Sequence, residues 1–409
     1  MTKLELLEII QNGENSGIEF KRDDRVNRAF SEDFAKEVVA FSNLKGGKIV
    51  VGVEDDGSIS GLSGAACEEW VMNICRTLVM PGVIPYYEEI QVDSGKRVAV
   101  VHIDMGFSKP YYVERGERRT YYIRVGSTSR EATREELGRL FQESGSYHYD
   151  VAPIPQTSFD DLDKNRLGDF FKKLKFIDVQ NISKDELILK LMNADIMKSM
   201  DYGKVATVGG LLIFGKKPEE FLPQSTVTFV HFKGNEITKD WSDKKEITGV
   251  LPELIEGIVP VIKMNLNVQS TVKGLKRIEY AKFPDEVLRE AVTNAVAHRD
   301  YSIFGANTRI FMFDNRIEFR SPGKLPNTVT IEKMKEGYSV ARNPFIVKYL
   351  QNYKYIDQIG SGIPMILNKI KILGLPEPLL KEEGEEFILT LFTKLLKNEN
   401  SEDAENERD

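Results

Sequence analysis

Three polar side chains recur at every fourth position in residues 286–302, which read EVLREAVTNAVAHRDYS. Glu290, Asn294 and His298 share one face of a helix, because at about 100° per residue each step of four drifts by only about 40°. The alanines and valines beside them are small enough for a sheet to pack closely. A carboxylate, an amide and an imidazole are poor core residues, since each requires a polar partner once it is buried. The pattern predicts a polar site on this helix, with a solvated face or a buried polar cluster as the alternative.

Such a helix face suits a site where Mg²⁺ and phosphate oxygens meet protein, because a carboxylate can orient water and an amide oxygen can ligate the metal. Two runs of alternating polarity follow in residues 309–326, joined by Asp-Asn at 314–315 and ended by Ser-Pro-Gly at 321–323. Gly-Ser-Gly at 360–362 then opens an apolar helix. Glycines at a helix start let backbone N–H groups approach phosphate, although glycine is also an ordinary turn residue. The order of helix, hairpin and glycine-opened helix is more specific than any one of these motifs.

Residues from about 283 to 392 resemble the divergent GHKL-type ATPase domain found at the C-terminus of bacterial proteins described as transcriptional regulators or RecG-like helicases. The matching runs are EAVTNAVAHRDY, IEFRSPGKLP, RNPFIVKYL and IGSGIPMI. The resemblance implies that ATP is bound with Mg²⁺, that Glu290 orients water for hydrolysis and that Asn294 ligates the metal. It also implies a set of residues beside the nucleotide, namely Asn294, His298, Gly323, Gly360, Ser361 and Gly362.

The chain departs from the GHKL pattern in its second motif. The usual Asp-x-Gly-x-Gly is absent between Ile317 and Pro326, where only Ser-Pro-Gly stands. No aspartate therefore occupies the usual position for reading the adenine amino group. The sequence also has no G-x-x-x-x-G-K-[ST] loop, which disfavours a helicase motor. The resemblance implies nucleotide binding and leaves base specificity and hydrolysis open.

Length and composition agree with a multi-domain globular chain. A length of 409 residues predicts two or three domains, and a net charge of −7 argues against a wholesale nucleic-acid coat. Cys67 and Cys75 have the spacing of neither a zinc site nor a disulfide framework. No window approaches the roughly 20 apolar residues of a membrane span. The N-terminal residues predict an acidic amphipathic helix and not a signal peptide, so we expect a cytoplasmic protein without a membrane partner.

One stretch near the N-terminus, residues 110–136, interleaves tyrosines with arginines. Arginine pairs with phosphate through two hydrogen bonds, and a tyrosine face can stack on a base. We therefore expect a nucleic-acid contact made by Tyr111, Tyr112, Arg115, Arg118, Arg119, Tyr122, Arg124 and Arg130. The alternative is an amphipathic hairpin with tyrosines in the core and arginines paired to Glu114, Glu117 and Glu131.

Residues from about 12 to 142 look like the AlbA-type domain of the Schlafen family. The shared runs are E-x4-EFK, AFSNLKGGKIVVGVEDDGSISGL and YYIRVGSTSREA. The resemblance implies nucleic-acid binding, and some members are metal-dependent ribonucleases that use three acids. Here those acids fall on Glu14, Glu19 and Glu54, the last where those members carry aspartate, and they would hold Mg²⁺ or Mn²⁺. The alternative is that Glu19 pairs with Lys21 or a neighbouring strand and that Glu54 is a turn acid.

These patterns together predict an α+β protein with five segments. They are a mixed AlbA-like α/β domain (1–145), a linker (146–157), a middle helical and α/β region (158–282), a GHKL-like α/β sandwich (283–392) and an acidic disordered tail (393–409). Strands are predicted at IEFK, KIVVGV, YYEEIQV and RVAVVHI in the first domain, and at VATVGGLLIFG and STVTFVHF in the middle region. LPELIEGIVPVIKMNLNV is predicted as a long helix.

Three hypotheses for the function follow. In the favoured one, an ATP-binding regulator uses nucleotide at its C-terminal domain to control DNA or RNA binding by its N-terminal domain, as in transcription regulation. In the second, Glu14, Glu19 and Glu54 form a Schlafen-like (t)RNA endonuclease, with a role in phage defence inferred from the family. In the third, both sites are inactive and the chain is a scaffold. A homo-oligomer is expected, and whether ATP is hydrolysed stays open.

Overall fold

The structure is a computed structural model that divides into two compact units, Met1–Tyr147 and His148–Asp409. It describes residues 1–92, 95–145, 147–175, 182–268, 272–273, 276–277, 283–326, 329–356 and 360–393. Both units mix helices with sheets, which confirms the predicted α+β class. The predicted acidic tail lies outside the described residues except for Thr393.

The N-terminal unit contains a four-stranded sheet with helices on its faces. The helices are α1 (Lys3–Asn12), α2 (Arg28–Asn43), α3 (Cys67–Thr77) and α4 (Arg134–Glu143). The strands are β1 (Ile18–Lys21), β2 (Gly47–Val51), β3 (Val79–Met80), β4 (Tyr86–Gln91), β5 (Arg97–Ile103), β6 (Tyr112–Arg115), β7 (Arg118–Thr120), β8 (Tyr122–Val125) and β9 (Thr128–Glu131). The main sheet has the order β1-β2-β5-β4, with β1 and β2 parallel. The strands predicted at IEFK, KIVVGV, YYEEIQV and RVAVVHI are confirmed.

Alternation along the central strands covers both faces of this sheet. Ile49 and Val51 pack with Phe34 and Phe41 of α2, whereas Val50 packs with a separate cluster that includes Leu6 of α1 and Phe20. Successive side chains of a strand point to opposite faces, so a continuous apolar run can fill both layers. The remaining strands form the sheet β3-β6-β7 and the hairpin β8-β9.

The C-terminal unit is organised around a six-stranded sheet. Its helices are α5 (Lys164–Lys175), α6 (Lys184–Asn193), α7 (Val208–Phe214), α8 (Leu251–Val268), α9 (Asp285–Ala297), α10 (Ile331–Lys335), α11 (Pro344–Asn352) and α12 (Gly362–Ile372). Its strands are β10 (Met197–Met200), β11 (Gly203–Ala206), β12 (Val227–Phe232), β13 (Trp241–Ile247), β14 (Val272–Lys273), β15 (Lys276–Arg277), β16 (Thr308–Met312), β17 (Arg316–Pro322), β18 (Leu379–Glu383) and β19 (Glu386–Phe392). The sheet order is β13-β12-β16-β17-β19-β18.

One face of this sheet packs on the helices. Ile310, Ile317 and Phe319 belong to the main core with α8, α9, α11 and α12, whereas Phe311 and Phe313 form a separate cluster with β12 side chains. The helices predicted over α8 and α9 and the hairpin β16–β17 are confirmed. Within the described part of the chain, no helix combines the length and the apolar character needed to cross a membrane.

Two predictions for the middle region differ from the structure. The run VATVGGLLIFG was predicted as a strand, but β11 ends at Ala206 and α7 begins at Val208. The Thr207 hydroxyl accepts a hydrogen bond from the Gly210 backbone N–H at 3.0 Å and so caps the helix. Every residue of α7 is buried, so its sequence carries no polar face that would reveal a helical period.

The second difference concerns the boundary of the C-terminal domain. The middle region was predicted to be separate from it, yet β12 pairs in parallel with β16 and places β12 and β13 in the same sheet as β16–β19. The core of this unit likewise runs from Ala152 to Leu391. The six-stranded sheet and the main core of this unit therefore include residues from both the middle region and the C-terminal segment.

Candidate functional site

A deep pocket in the C-terminal unit lies between α9, the end of β17 and the start of α12. The open space along its lining, with the solvent at its mouth included, is about 1110 Å³. Of the residues predicted to contact a nucleotide, Asn294, His298, Gly323, Gly360 and Gly362 line it, together with Glu290. Ser361, the sixth, precedes α12 between two lining glycines. Elements far apart in sequence are thus brought to one cavity.

The polar face of α9 points into this pocket. Asn294 Nδ2 donates a hydrogen bond to Glu290 Oε1 at 3.0 Å, and Glu290 is only 9 % exposed. This bond commits the amide nitrogen to the carboxylate. The amide oxygen is then the atom that Asn294 has for a hard cation, in keeping with the oxygen ligands that Mg²⁺ prefers.

Glycines bring backbone directly against these side chains. A Cβ at Gly362 would lie 1.7 Å from Glu290 Oε1, so the carboxylate rests against the first residue of α12. Gly360 has φ +91°, and a Cβ there would lie 2.0 Å from the Gly337 carbonyl oxygen. Gly323 has φ +116° and faces Asp300. Backbone N–H groups at a helix start attract anions, and the absence of side chains lets an anion approach them closely.

His298 occupies the far end of the same helix face. Burial lowers the pKa of its imidazole from 6.5 to about 4, and the Arg342 guanidinium contributes to the decrease. The ring is therefore neutral near pH 7 and has one donor and one acceptor nitrogen. His298 can hydrogen-bond to a ligand there without contributing charge.

Sequence reasoning did not single out Arg342 and Lys324, which also line the pocket. Arg342 Nη1 pairs with Asp300 Oδ2 at 3.1 Å, and its other terminal nitrogen donates to the Lys324 carbonyl oxygen. The only signal in the sequence is the run RNPFIVKYL, in which a charged residue precedes an Asn-Pro helix start. Its partners are known only from the fold.

The apolar part of the pocket is lined by the segment in which the Asp-x-Gly-x-Gly motif of GHKL proteins is missing. Phe319 and Ser321 of β17 line the cavity, whereas Glu318, the residue before Phe319, forms ion pairs with Arg316 and Arg320. Adjacent strand residues face opposite sides, so the carboxylate of Glu318 does not face this cavity. The Ser321 hydroxyl donates to the Ala295 carbonyl oxygen at 2.7 Å. The residues fit a polyphosphate at the glycines, and β17 supplies no carboxylate to read a base.

The tyrosine- and arginine-rich stretch of the N-terminal unit includes the β6–β7 hairpin. Arg118 and Arg119 are largely exposed and form ion pairs with Glu131 at 3.5 Å and Glu114 at 3.6 Å. Arg119 also lies over the ring of Tyr112, 5.2 Å from its centroid. Exposed pairs of this kind are worth about 0–1 kcal/mol, so an incoming phosphate can displace the carboxylates.

Two other arginines of this stretch also have carboxylate partners. Arg115 pairs with Glu32 at 2.9 Å and Arg130 with Glu136 at 2.8 Å, and both arginines remain close to half exposed. These contacts agree with the alternative in which the arginines pair with acids. The partners of these two arginines are Glu32 and Glu136, which were not among the acids predicted. Exposed guanidinium groups remain on the hairpin surface.

Arg124, in contrast, lies in the interior of the N-terminal unit. Its fully buried guanidinium bonds to Glu19 and Glu37 at 2.9 Å each and to two backbone carbonyl oxygens of residues 15 and 18. Tyr111 is also buried, and Asn43 bonds to the backbone of both Tyr111 and Tyr122. Protein groups enclose the side chains of Arg124 and Tyr111, so neither is placed to contact nucleic acid as predicted.

The three acids predicted to hold a metal are each engaged elsewhere. Glu14 accepts a hydrogen bond from the Phe20 backbone N–H at 2.7 Å, and burial raises its pKa. Glu19 is held by Lys21 and Arg124, and Glu54 lies 3.8 Å from Arg22. Across the residues that the structure describes, no group of three or more His, Cys, Asp or Glu side chains is placed to hold a metal ion. Each of the three acids therefore has a protein partner in the structure.

Comparison with known proteins identifies two families. Residues 14–133 match the family described as "Schlafen, AlbA_2", and residues 305–391 match the family described as "Putative ATP-dependent DNA helicase recG C-terminal". The first match contains all the acids and hairpin residues discussed above. The second begins after α9, so Glu290, Asn294 and His298 lie outside it.

Similar solved structures include the DIP2311 protein from Corynebacterium diphtheriae, at 19 % identity and a TM-score of 0.44 over 93 % of this chain. The chain spans 65 % of the length of that protein. The N-terminal domain of a RecG-related protein from Nitrosomonas europaea is 22 % identical, with a TM-score of 0.25 over 32 % of this chain and 94 % of the other. No curated protein matches. The two resemblances predicted from sequence are confirmed: one segment of the chain is similar to the Schlafen AlbA_2 family, and another is similar to the family of the RecG C-terminal region.

Proposed function

We propose that this chain is a cytoplasmic regulatory protein in which a nucleotide bound by the C-terminal unit controls DNA or RNA binding by the N-terminal unit. The observation that carries the proposal is the pocket in which the paired Glu290 and Asn294 side chains rest against the glycine-opened start of α12. The two family matches support it, since one names an ATP-dependent protein and the other an AlbA-type domain.

ATP would be held by groups at the glycine end of the pocket. The backbone N–H groups at Gly360 and Gly362 suit phosphate oxygens, and Lys324, whose ammonium group pairs with Glu385 at 2.7 Å, adds positive charge to the lining. Mg²⁺, when bound, neutralises charge on the phosphate oxygens, and Asn294 Oδ1 is its proposed ligand. Glu290 would orient the water in any hydrolysis, because its carboxylate lies beside both Asn294 and α12.

Nucleic acid would contact the exposed part of the basic hairpin. Arg118 and Arg119 carry this role because they are the most exposed of the described hairpin arginines, with side-chain exposures of 74 % and 60 %. Tyr112 supports Arg119 through the cation–π contact. The ribonuclease alternative is not proposed, because Lys21 and Arg124 already neutralise Glu19.

The proposal is tested by measuring nucleic-acid affinity with and without nucleotide. Fluorescence anisotropy with labelled single-stranded DNA, duplex DNA and RNA gives the dissociation constant in buffer, with ATP and Mg²⁺, and with ADP and Mg²⁺. We expect ATP to change at least one of these constants by about 5- to 150-fold, the usual range of coupling between sites. The change should be absent from Asn294→Ala.

An unchanged constant in wild-type protein that demonstrably binds ATP would contradict the coupling and leave two independent binding sites. Light scattering of the same samples measures the molecular mass. The proposal includes a homo-oligomer, so a monomeric mass in all conditions would remove that part of it.

A further inference from the structure

Arg342 places a shielded positive charge in the wall of the pocket. Its side chain is 8 % exposed and that of its partner Asp300 is 5 % exposed. The bonds to Asp300 and to the Lys324 carbonyl oxygen use two of the five N–H donors of a guanidinium. Donors therefore remain for an anion in the cavity that Arg342 lines.

The backbone that carries Arg342 is fixed to the same helix as the polar face. Asn343 Nδ2 donates to the carbonyl oxygens of Ala297 and Arg299 at 2.8 Å each, and these residues form and follow the end of α9. On the other side, Pro344 opens α11, and the Asp150 carboxylate accepts the Phe345 backbone N–H at 2.8 Å. Arg342 is therefore held from both directions and is not at the end of a loose loop.

Asp300 gives the guanidinium its orientation. The Asp300 backbone N–H donates to the Pro322 carbonyl oxygen at 2.7 Å, and its other carboxylate oxygen accepts from the Ser302 hydroxyl at 2.6 Å. A carboxylate fixed in this way can hold one side of a planar guanidinium while the other side pairs with phosphate. The alternative is a buried ion pair that only joins residues 324–342 to the end of α9.

We propose that Arg342, positioned by Asp300, is the residue by which the pocket recognises a polyphosphate and so distinguishes nucleoside di- and triphosphates from nucleosides. This inference rests on the proposed nucleotide-binding function. It assigns the specificity to charge and planar geometry at Arg342, and it leaves base recognition to the apolar end of the pocket.

The test compares four ligands by titration calorimetry: ATP, ADP, adenosine and inorganic tripolyphosphate. Arg342→Lys retains the charge and removes the planar fork. The double variant Asp300→Asn/Arg342→Gln removes both charges, so neither is left buried without its partner. Arg320→Lys is the matched control, since Arg320 is also a mostly buried, ion-paired arginine. It lies on β17 between Phe319 and Ser321, which line the pocket. Circular dichroism and thermal melting verify that each variant folds.

We expect Arg342→Lys to weaken ATP and tripolyphosphate binding by about tenfold, the double variant to weaken it further, and adenosine binding to stay unchanged. Arg320→Lys should bind all four ligands as the wild type does. An unchanged ratio of ATP to adenosine affinity, or an equal loss for every ligand, overturns the inference and assigns Arg342 a purely structural role.

Failure of the proposed function gives a different pattern. Wild-type protein that binds tripolyphosphate through Arg342 but shows no preference for ATP would uphold the inference and contradict nucleotide recognition. Wild-type protein that binds neither contradicts both.

Discussion

At the scale of single residues, the pocket depends on contacts that leave no space for larger side chains. Glu290 and Asn294 lie on α9, and Gly362 begins α12, 72 residues after Glu290. The Glu290 carboxylate nevertheless contacts the Gly362 backbone and accepts a hydrogen bond from Asn294. The four-residue spacing predicted that the polar side chains share a helix face. The approach of Gly362 to Glu290 could not be predicted, because it depends on how α12 packs beside α9.

Gly362→Ala should weaken nucleotide binding while leaving the fold intact. The new Cβ would stand at the start of α12, 1.7 Å from Glu290 Oε1, and would hinder the approach of phosphate oxygens to the backbone N–H groups there. We expect at least about a tenfold loss of ATP affinity, equivalent to about 1.4 kcal/mol. Gly305→Ala is the matched control, since a Cβ there meets nothing within 4 Å. Equal ATP affinities for the two variants in a calorimetric titration would show that the open backbone at Gly362 has no role in binding.

His298 should make stability fall at acid pH. Its pKa is about 4 in the folded protein against 6.5 as the ordinary value, so between these values the unfolded chain binds a proton that the folded chain does not. The resulting loss of stability is absent above pH 6.5, grows as pH falls and is complete below pH 4. Between pH 7.5 and pH 5 it amounts to about 2 kcal/mol.

Denaturant unfolding of wild type and His298→Gln at these two pH values measures this contribution. The wild type should lose about 2 kcal/mol more than the variant, because glutamine does not titrate. The same pH dependence in both proteins would mean that the His298 imidazole protonates as easily in the folded state as in the unfolded chain.

At the scale of secondary-structure elements, the basic hairpin gives a prediction about salt. Replacing Arg118 and Arg119 by alanine should weaken binding of all nucleic-acid sequences similarly and flatten the slope of log affinity against log salt by about 1–2 units, if each arginine contacts one phosphate. Lys45→Ala/Arg76→Ala, which removes two exposed charges of the same unit from outside the hairpin, is the control. An unchanged slope in the hairpin variant would assign both arginines to their pairs with Glu131 and Glu114.

Elements with a visible period were predictable from sequence, and fully buried ones were not. The alternation in β16 and β17 and the polar face of α9 identified those elements. The helix α7 lacks any polar residue, so its sequence suits a buried strand as well as a buried helix. The difference is decided by the Thr207 cap and by packing that only the folded unit supplies. Arg124 shows the same limit, because its carboxylate partners Glu19 and Glu37 lie far away in sequence.

At the scale of the whole molecule, two units with different candidate ligands occupy one chain. The six-stranded sheet continues from β12 and β13 into β16–β19, so the candidate pocket belongs to a unit that starts at His148. The linker residue Asp150 caps α11, whose residues Val347 and Gln351 line the pocket. Within the C-terminal unit, the first residues after the boundary are thus bonded to an element of the site.

Calorimetric titration of ATP with Mg²⁺ into the full chain tests the central claim most directly. We expect saturable binding by wild type, a loss of at least about tenfold, or about 1.4 kcal/mol, in Asn294→Ala, and nearly wild-type binding in Glu290→Ala with any hydrolysis abolished. Asn165→Ala makes the same chemical change at an exposed position of α5 and should bind normally. No heat of binding in wild type, or equal affinities for Asn294→Ala and Asn165→Ala, would contradict the account of the pocket as a nucleotide site.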